Sequence, residues 1–163
     1  KTVVELGSGT GMVGMACARL GAKCVAVTDL EQALPLLREN VRSNGLSGRV
    51  KTVRCEWGRS EDVRGVVDVL GGLPDVVVGS DLVYSAAREE SNSGKLAALR
   101  SSLRALCPLL SRALICYKHR LNPDDEAFIE QGLSGEFGVR MVDAEDLARA
   151  RGAHGSYRIY SLQ

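Results

Sequence analysis

Apolar positions along the chain fall into short continuous runs, separated by longer stretches in which they recur every three or four residues. Val3, Val4 and Leu6 form the first run, β-branched and brief, as a strand covered on both faces requires. Cys24 to Val27, Val50 to Arg54, Asp75 to Ser80 and Ala113 to Tyr117 read as four further strands, and Val139 to Val142 and Tyr157 to Leu162 as the last two. Between them lie helical segments. One runs from about Met12 to Leu20, with Gly21 as its stop. A second, Leu34 to Ser43, puts Leu34, Leu37 and Val41 on one face, carries Pro35 in its first turn and closes at Asn44-Gly45. Glu61 to Leu70 reads as a short helix ended by Gly71-Gly72. Residues 85 to 94 are small and polar, a surface loop. Leu96, Leu99, Leu103, Leu106 and Leu110 repeat at helical spacing, and Pro108 places the end nearby. Asn122-Pro123-Asp124-Asp125-Glu126 is a helix start, with Phe128, Ile129 and Leu133 facing the core. A short helix is predicted around Glu145 to Arg151. Strand and helix alternate throughout, which predicts an α/β fold with a mainly parallel sheet.

Composition narrows this little. A length of 163 residues and 45% hydrophobic content suit one domain with a sizeable core. The 21 basic and 20 acidic residues leave a net charge of +1, with no electrostatic footprint for nucleic acid or an anionic membrane. One Trp, four Tyr and two Phe are too few for a base-stacking platform. Cys17, Cys24, Cys55, Cys107 and Cys116 are odd in number and widely spaced, without a CxxC or Cys/His cluster. Neither a disulfide framework nor a metal site is expected, and a reducing, intracellular compartment is. No apolar run approaches the ~20 residues of a membrane span. The chain opens on Lys1 inside a strand, so a segment preceding it is expected to be missing.

Chemistry concentrates where strands end. After Leu6 come Gly7, Ser8, Gly9, Thr10 and Gly11, with glycine at every second position. Such a loop lets a ligand lie against the backbone, and the helix beyond aims free N–H groups at it. Gly9 to Gly14 reads GxGxxG, a dinucleotide fingerprint. That fingerprint puts its first glycine directly after the strand, which here is Gly7, and Met12 then stands where another glycine is needed. The segment Glu5-x-Gly7-x-Gly9-x-Gly11 instead resembles the S-adenosylmethionine (SAM) loop of class I methyltransferases. Glu5 agrees with it: a carboxylate there would repel a pyrophosphate, whereas the methionyl end of SAM carries an ammonium and a sulfonium.

Asp29 ends the second strand about twenty residues on, where a carboxylate can accept both ribose hydroxyls, with Leu30 beside it. Trp57, in a Glu-Trp-Gly loop after the third strand, can stack on an adenine. Ser80 closes the fourth strand, where its backbone would pass close to the cofactor. Asp81-Leu82-Val83-Tyr84 follows. Asp81-x-x-Tyr84 after Gly79-Ser80, taken with Thr28-Asp29-Leu30 and Trp57-Gly58, resembles the seven-β-strand non-histone protein-lysine methyltransferases, methyltransferase family 16, over nearly the whole chain. The resemblance implies a Rossmann-like sheet of seven strands, helices on both faces, and an antiparallel last strand between the fifth and sixth. It implies SAM as cofactor, held by Glu5, Gly7, Ser8, Gly9, Thr10, Gly11, Asp29, Leu30, Trp57 and Ser80. Asp81 and Tyr84 then form the acceptor mouth. A lysine arrives charged, with a pKa of about 10.4. A carboxylate at the mouth can orient the ammonium, and an aromatic wall can hold its alkyl stem.

The function expected on these grounds is methyl transfer to a lysine of a cytoplasmic protein, a chaperone or an AAA ATPase among the candidates, by a monomer that engages neither nucleic acid nor membrane. A small-molecule methyltransferase, a NAD-binding oxidoreductase and a non-catalytic module of the same fold stand as alternatives.

Overall fold

The computed structural model describes residues 1–83, 91–107, 111–118, 127–142 and 157–163. Seven strands, β1 (Thr2–Leu6), β2 (Cys24–Asp29), β3 (Val50–Arg54), β4 (Val76–Ser80), β5 (Arg112–Lys118), β6 (Val139–Met141) and β7 (Tyr157–Leu162), form a single sheet in the order β3-β2-β1-β4-β5-β7-β6. The first five are parallel. The last, β7, runs antiparallel between β5 and β6, as expected.

The helices α1 (Met12–Arg19), α2 (Leu34–Ser43), α3 (Ser60–Leu70) and α4 (Ser91–Leu106) divide between the two faces. Alternation along β1 and β2 shows why. Val3, Val25 and Val27 point to one side and pack with Leu34, Leu37 and Val41 of α2 and Ala18 of α1. Val4, Leu6 and Ala26 point to the other and pack with Val66 of α3 and Leu99, Leu103 and Leu106 of α4. Both faces of the central strands are therefore apolar, which is the reason their sequences read as continuous runs rather than alternating ones.

Two expectations need correction. Residues 91 to 94, read as loop, already belong to α4; its first turn is polar and small, so no apolar periodicity announces it. The segment Phe128–Gly132 is a π-helical turn rather than part of an α-helix. The predicted helix start at 122–126, the helix around 145–151, the loop residues 85–90 and Tyr84 lie outside the described residues.

Strand order reverses between β1 and its neighbours β2 and β4. A crevice opens beyond the carboxyl ends of the strands at such a point, and ligands of open α/β sheets bind there.

Candidate cofactor and acceptor site

The loop after β1 is held in shape by its own strand and the next. Ser8 N–H donates to the Thr28 carbonyl at 2.8 Å, and Thr28 N–H donates back to Ser8 Oγ at 2.8 Å. The hydroxyls of Ser8 and Thr28 both donate to the Glu5 carbonyl, at 3.1 and 2.8 Å. Ser8 is buried. Its side chain latches β1 to β2 and does not face a ligand.

Glu5 also turns away from where it was expected. It is 3% exposed, and its Oε2 accepts the Gly14 N–H at 2.8 Å in the first turn of α1. Burial pushes its carboxyl above the ordinary value, and the hydrogen bonds from Gly14, Ser8 and Val13 oppose that only in part. Glu5 thus serves the cofactor loop by tying it to the helix. Gly14 makes the tie close: a Cβ there would lie 2.5 Å from Val27 Cγ1 and 2.8 Å from Glu5 Oε2.

Asp29 sits at the carboxyl end of β2, where its Oδ2 accepts the Gly9 N–H and its Oδ1 the Leu30 N–H, both at 2.8 Å. Each carboxylate oxygen retains a second lone pair for a ligand hydroxyl. Thr10 is exposed, and its carbonyl accepts from Asn40 Nδ2 at 2.9 Å.

A cavity of 590 Å³ lies beside this loop, bounded by Gly7, Asp29, Leu30, Trp57, Asp81 and Leu82. It is within the size range of cofactor sites. Gly7, at φ +57°, forms its floor; a Cβ there would stand 2.8 Å from Leu82 Cδ2 and 3.2 Å from Trp57 Cζ2. Glycine is therefore required for both its conformation and its lack of bulk. Five of the residues singled out in the sequence, Gly7, Asp29, Leu30, Trp57 and Asp81, converge here. Ser80 does not: it is exposed at the end of β4, hydrogen-bonded to the Cys116 thiol, and outside the cavity wall.

Asp81 adopts φ +58°, the one positive φ at a non-glycine among the described residues. Asp tolerates the left-handed region better than most residues, though still at some strain. The turn is fixed by its N–H, which donates to the Cys116 carbonyl at 2.8 Å, and Leu82 behind it fills the space over Gly79.

Several wall residues escaped sequence reasoning. Cys55 and Glu56 come from the end of β3, and Gly94, Lys95 and Ala98 from α4. Burial, with the nearby Asp62 charge, pushes the Cys55 thiol up to about 11. Asp62 also receives Arg54 Nη1 at 3.1 Å and the Glu56 N–H at 2.8 Å, and Arg54 Nη2 reaches Glu56 at 2.8 Å. Ser102, 1% exposed, accepts the Gly58 N–H at 2.9 Å and so anchors the Trp57 loop to α4. A readable signal existed for it, since Ser102 lies three residues after Leu99 and four before Leu106, on the flank of the leucine stripe. Gly14 was visible too, as the last glycine of the GxGxxG spacing. Among the described residues, no group of His, Cys, Asp and Glu could hold a metal ion, and no helix is long and apolar enough to cross a membrane.

These residues fit SAM: a glycine without side-chain bulk, a carboxylate at the end of β2, an indole in the same wall and, among the described lining residues, three carboxylates against the single cation Lys95 where a pyrophosphate would need the reverse. A family model described as lysine methyltransferase matches residues 1–133. The chain is 44% identical over 87 residues to protein N-lysine methyltransferase METTL21A of Danio rerio, covering 52% of this chain and 37% of that protein. It is 30% identical over 147 residues to EEF1A lysine methyltransferase 3 of Mus musculus, covering 90% of this chain and 57% of that protein. The chain therefore spans roughly a third to somewhat over half of the length of these relatives. Among solved structures, an O-methyltransferase family protein from Burkholderia thailandensis superposes with a TM-score of 0.66 at 17% identity, over 100% of this chain and 50% of that one; the likeness is one of fold.

Proposed function

The chain belongs to the lysine methyltransferase family, and from that premise we propose that it transfers a methyl group from SAM to the ε-amine of a lysine in a protein substrate. The observation that carries the reading is the convergence of Gly7, Asp29, Trp57 and Asp81 on one cavity at the sheet's switch point. Bound SAM supplies an electrophilic methyl on a sulfonium. Gly7 lets it lie against the loop, Asp29 takes the ribose hydroxyls and Trp57 covers the adenine. Asp81, at the same wall, would attract and orient the acceptor ammonium, which must lose its proton to solvent before the neutral amine can take the methyl and leave S-adenosylhomocysteine; Tyr84 is assigned the aromatic side of the mouth from the resemblance of Asp81-x-x-Tyr84 to the family's motif. Leu82 and Ala98 keep water from the walls between these groups.

The protein acted on is read as a cytoplasmic one, with chaperones and AAA ATPases as the first to test, and the enzyme as a monomer that engages neither nucleic acid nor membrane. The near balance of charge along the chain supports the last point. Titration calorimetry of SAM, followed by labelling of cell extract with radioactive SAM, tests the proposal. Binding and protein labelling are expected from the wild type, and binding without labelling from Asp81→Asn. Wild-type labelling by Asp81→Asn would remove Asp81 from the mouth. SAM binding with no protein labelled by the wild type would replace the enzyme with a binding module.

A further inference from the structure

A second cavity lies at the free edge of the sheet, its wall on β3 ending at Val53, two residues before Cys55 of the cofactor cavity. It measures 480 Å³ and is walled by Arg38 and Arg42 of α2, Lys51, Thr52 and Val53 of β3, and Val69 of α3. No acidic residue lines it. Arg42 is paired with Glu39 at 2.7 Å and Lys51 Nζ donates to the Ser47 carbonyl at 3.2 Å, both at the surface.

The backbone of β3 adds a second feature. Cys55 N–H donates to the Asp29 carbonyl and Val25 N–H to the Arg49 carbonyl, so odd-numbered residues of this stretch bond to β2. In a parallel ladder the even-numbered ones face the other way. Val50 N–H is taken by the Leu46 carbonyl at 2.9 Å. The N–H groups of Thr52 and Arg54 and the carbonyls of Val50 and Thr52 therefore face outward, because β3 is the end strand.

We infer that this edge is a docking site for an acidic, extended peptide segment of a partner protein, which adds as a strand beside β3 with carboxylates over Arg38 and Arg42 on the α2 face and apolar residues against Val53 and Val69 on the α3 face. Strand addition draws affinity from main-chain hydrogen bonds and specificity from pockets for alternate side chains, and this edge offers both. Charge selects the occupant. Pairing with a second copy would bring like cations together, a recognised protection of exposed edges. The cofactor cavity is walled by Asp29, Glu56 and Asp81 against Lys95, the opposite balance, so an acidic segment is steered to the edge and not to the site. The inference does not depend on the proposed activity.

The test is fluorescence anisotropy with a fluorescein-labelled peptide of alternating Glu and Val, with a Lys-Val peptide as control. Saturable binding of the acidic peptide is expected, weakened roughly tenfold or more by Arg38→Glu and by Thr52→Pro, and falling with added salt. Proline removes an outward N–H and is tolerated on edge strands, and Arg38→Glu, on an exposed helix face, guards against misfolding of the Thr52→Pro variant. SAM titration is expected to be unchanged in both. No saturable binding, equal binding of the Lys-Val control, or indifference to both substitutions would overturn the inference. So would a concentration-dependent dimer that Thr52→Pro dissolves, since the occupant would then be a second copy.

Discussion

The Gly9 amide donates to Asp29 Oδ2 at 2.8 Å across twenty residues of sequence, so the carboxylate we propose for the ribose also holds the glycine loop. The two tasks share one side chain because β1 and β2 are neighbours, with Glu5 paired to Val27 in register.

Removing that carboxylate should therefore be felt without ligand. Asp29→Ala is expected to lower stability by about 1–2 kcal/mol in urea unfolding, since two amides lose their acceptor, and to weaken SAM at least about tenfold. Asp29→Asn should restore little, because its amide would direct a donor at either Gly9 or Leu30. An unchanged urea midpoint with weakened SAM would assign Asp29 to the ligand alone.

Gly14→Ala tests the packing of α1 on the sheet. The added methyl would press on Val27 Cγ1 at 2.5 Å and on Glu5 Oε2 at 2.8 Å, and neither neighbour is at the far end of a free side chain. A loss of about 1–3 kcal/mol is expected from overpacking, with weaker SAM binding as the loop is pried from β2. A variant as stable as the wild type would mean that α1 shifts freely.

How much of this could be read beforehand varies by element. The sheet was legible because β1, β2 and β4 are apolar on both faces, and the Leu99–Leu103–Leu106 stripe announced α4. The start of α4 was not, since a polar first turn carries no period. At the site, Gly7, Asp29, Trp57 and Asp81 could be named because each stands at or within three residues of the carboxyl end of a strand. The roles of Glu5 and Ser8 could not, because whether a polar side chain faces ligand or backbone depends on partners nine and twenty residues away.

Ser102→Ala isolates the contribution of α4 to the Trp57 wall of the cavity. It frees the Gly58 N–H and leaves Trp57 less firmly placed, with an expected stability loss of about 1 kcal/mol. Because the chain holds one Trp, emission reports on this loop directly. A red shift and a severalfold weaker SAM affinity are expected, about threefold to tenfold. Unchanged emission and affinity would show that Ser102 supports only the core.

Cys55 should be inert despite lining the cavity. It is 2% exposed and its thiol is pushed up to about 11, so almost none is thiolate at pH 8. Iodoacetamide at that pH is expected to spare Cys55 in the native protein and modify it in urea, as read by peptide mass spectrometry. Native labelling at the denatured rate would show that the cavity wall opens.

Glu5 makes the loop's stability depend on pH. Its folded carboxyl lies above the ordinary 4.5, mainly through burial. The unfolded chain therefore releases this proton first as pH rises, and the native state is favoured most below 4.5 on account of this group. That contribution declines through the folded value and is constant above it. Glu5→Gln keeps an acceptor for the Gly14 N–H but cannot ionise. The stability of the wild type relative to Glu5→Gln is thus expected to fall as pH rises from about 4.5, at no more than about 1.4 kcal/mol per pH unit, and then to level off. Urea midpoints across that range measure it. Parallel curves would mean that Glu5 ionises in the folded protein as readily as in the unfolded chain, and that Gly14, Ser8 and Val13 offset its burial completely.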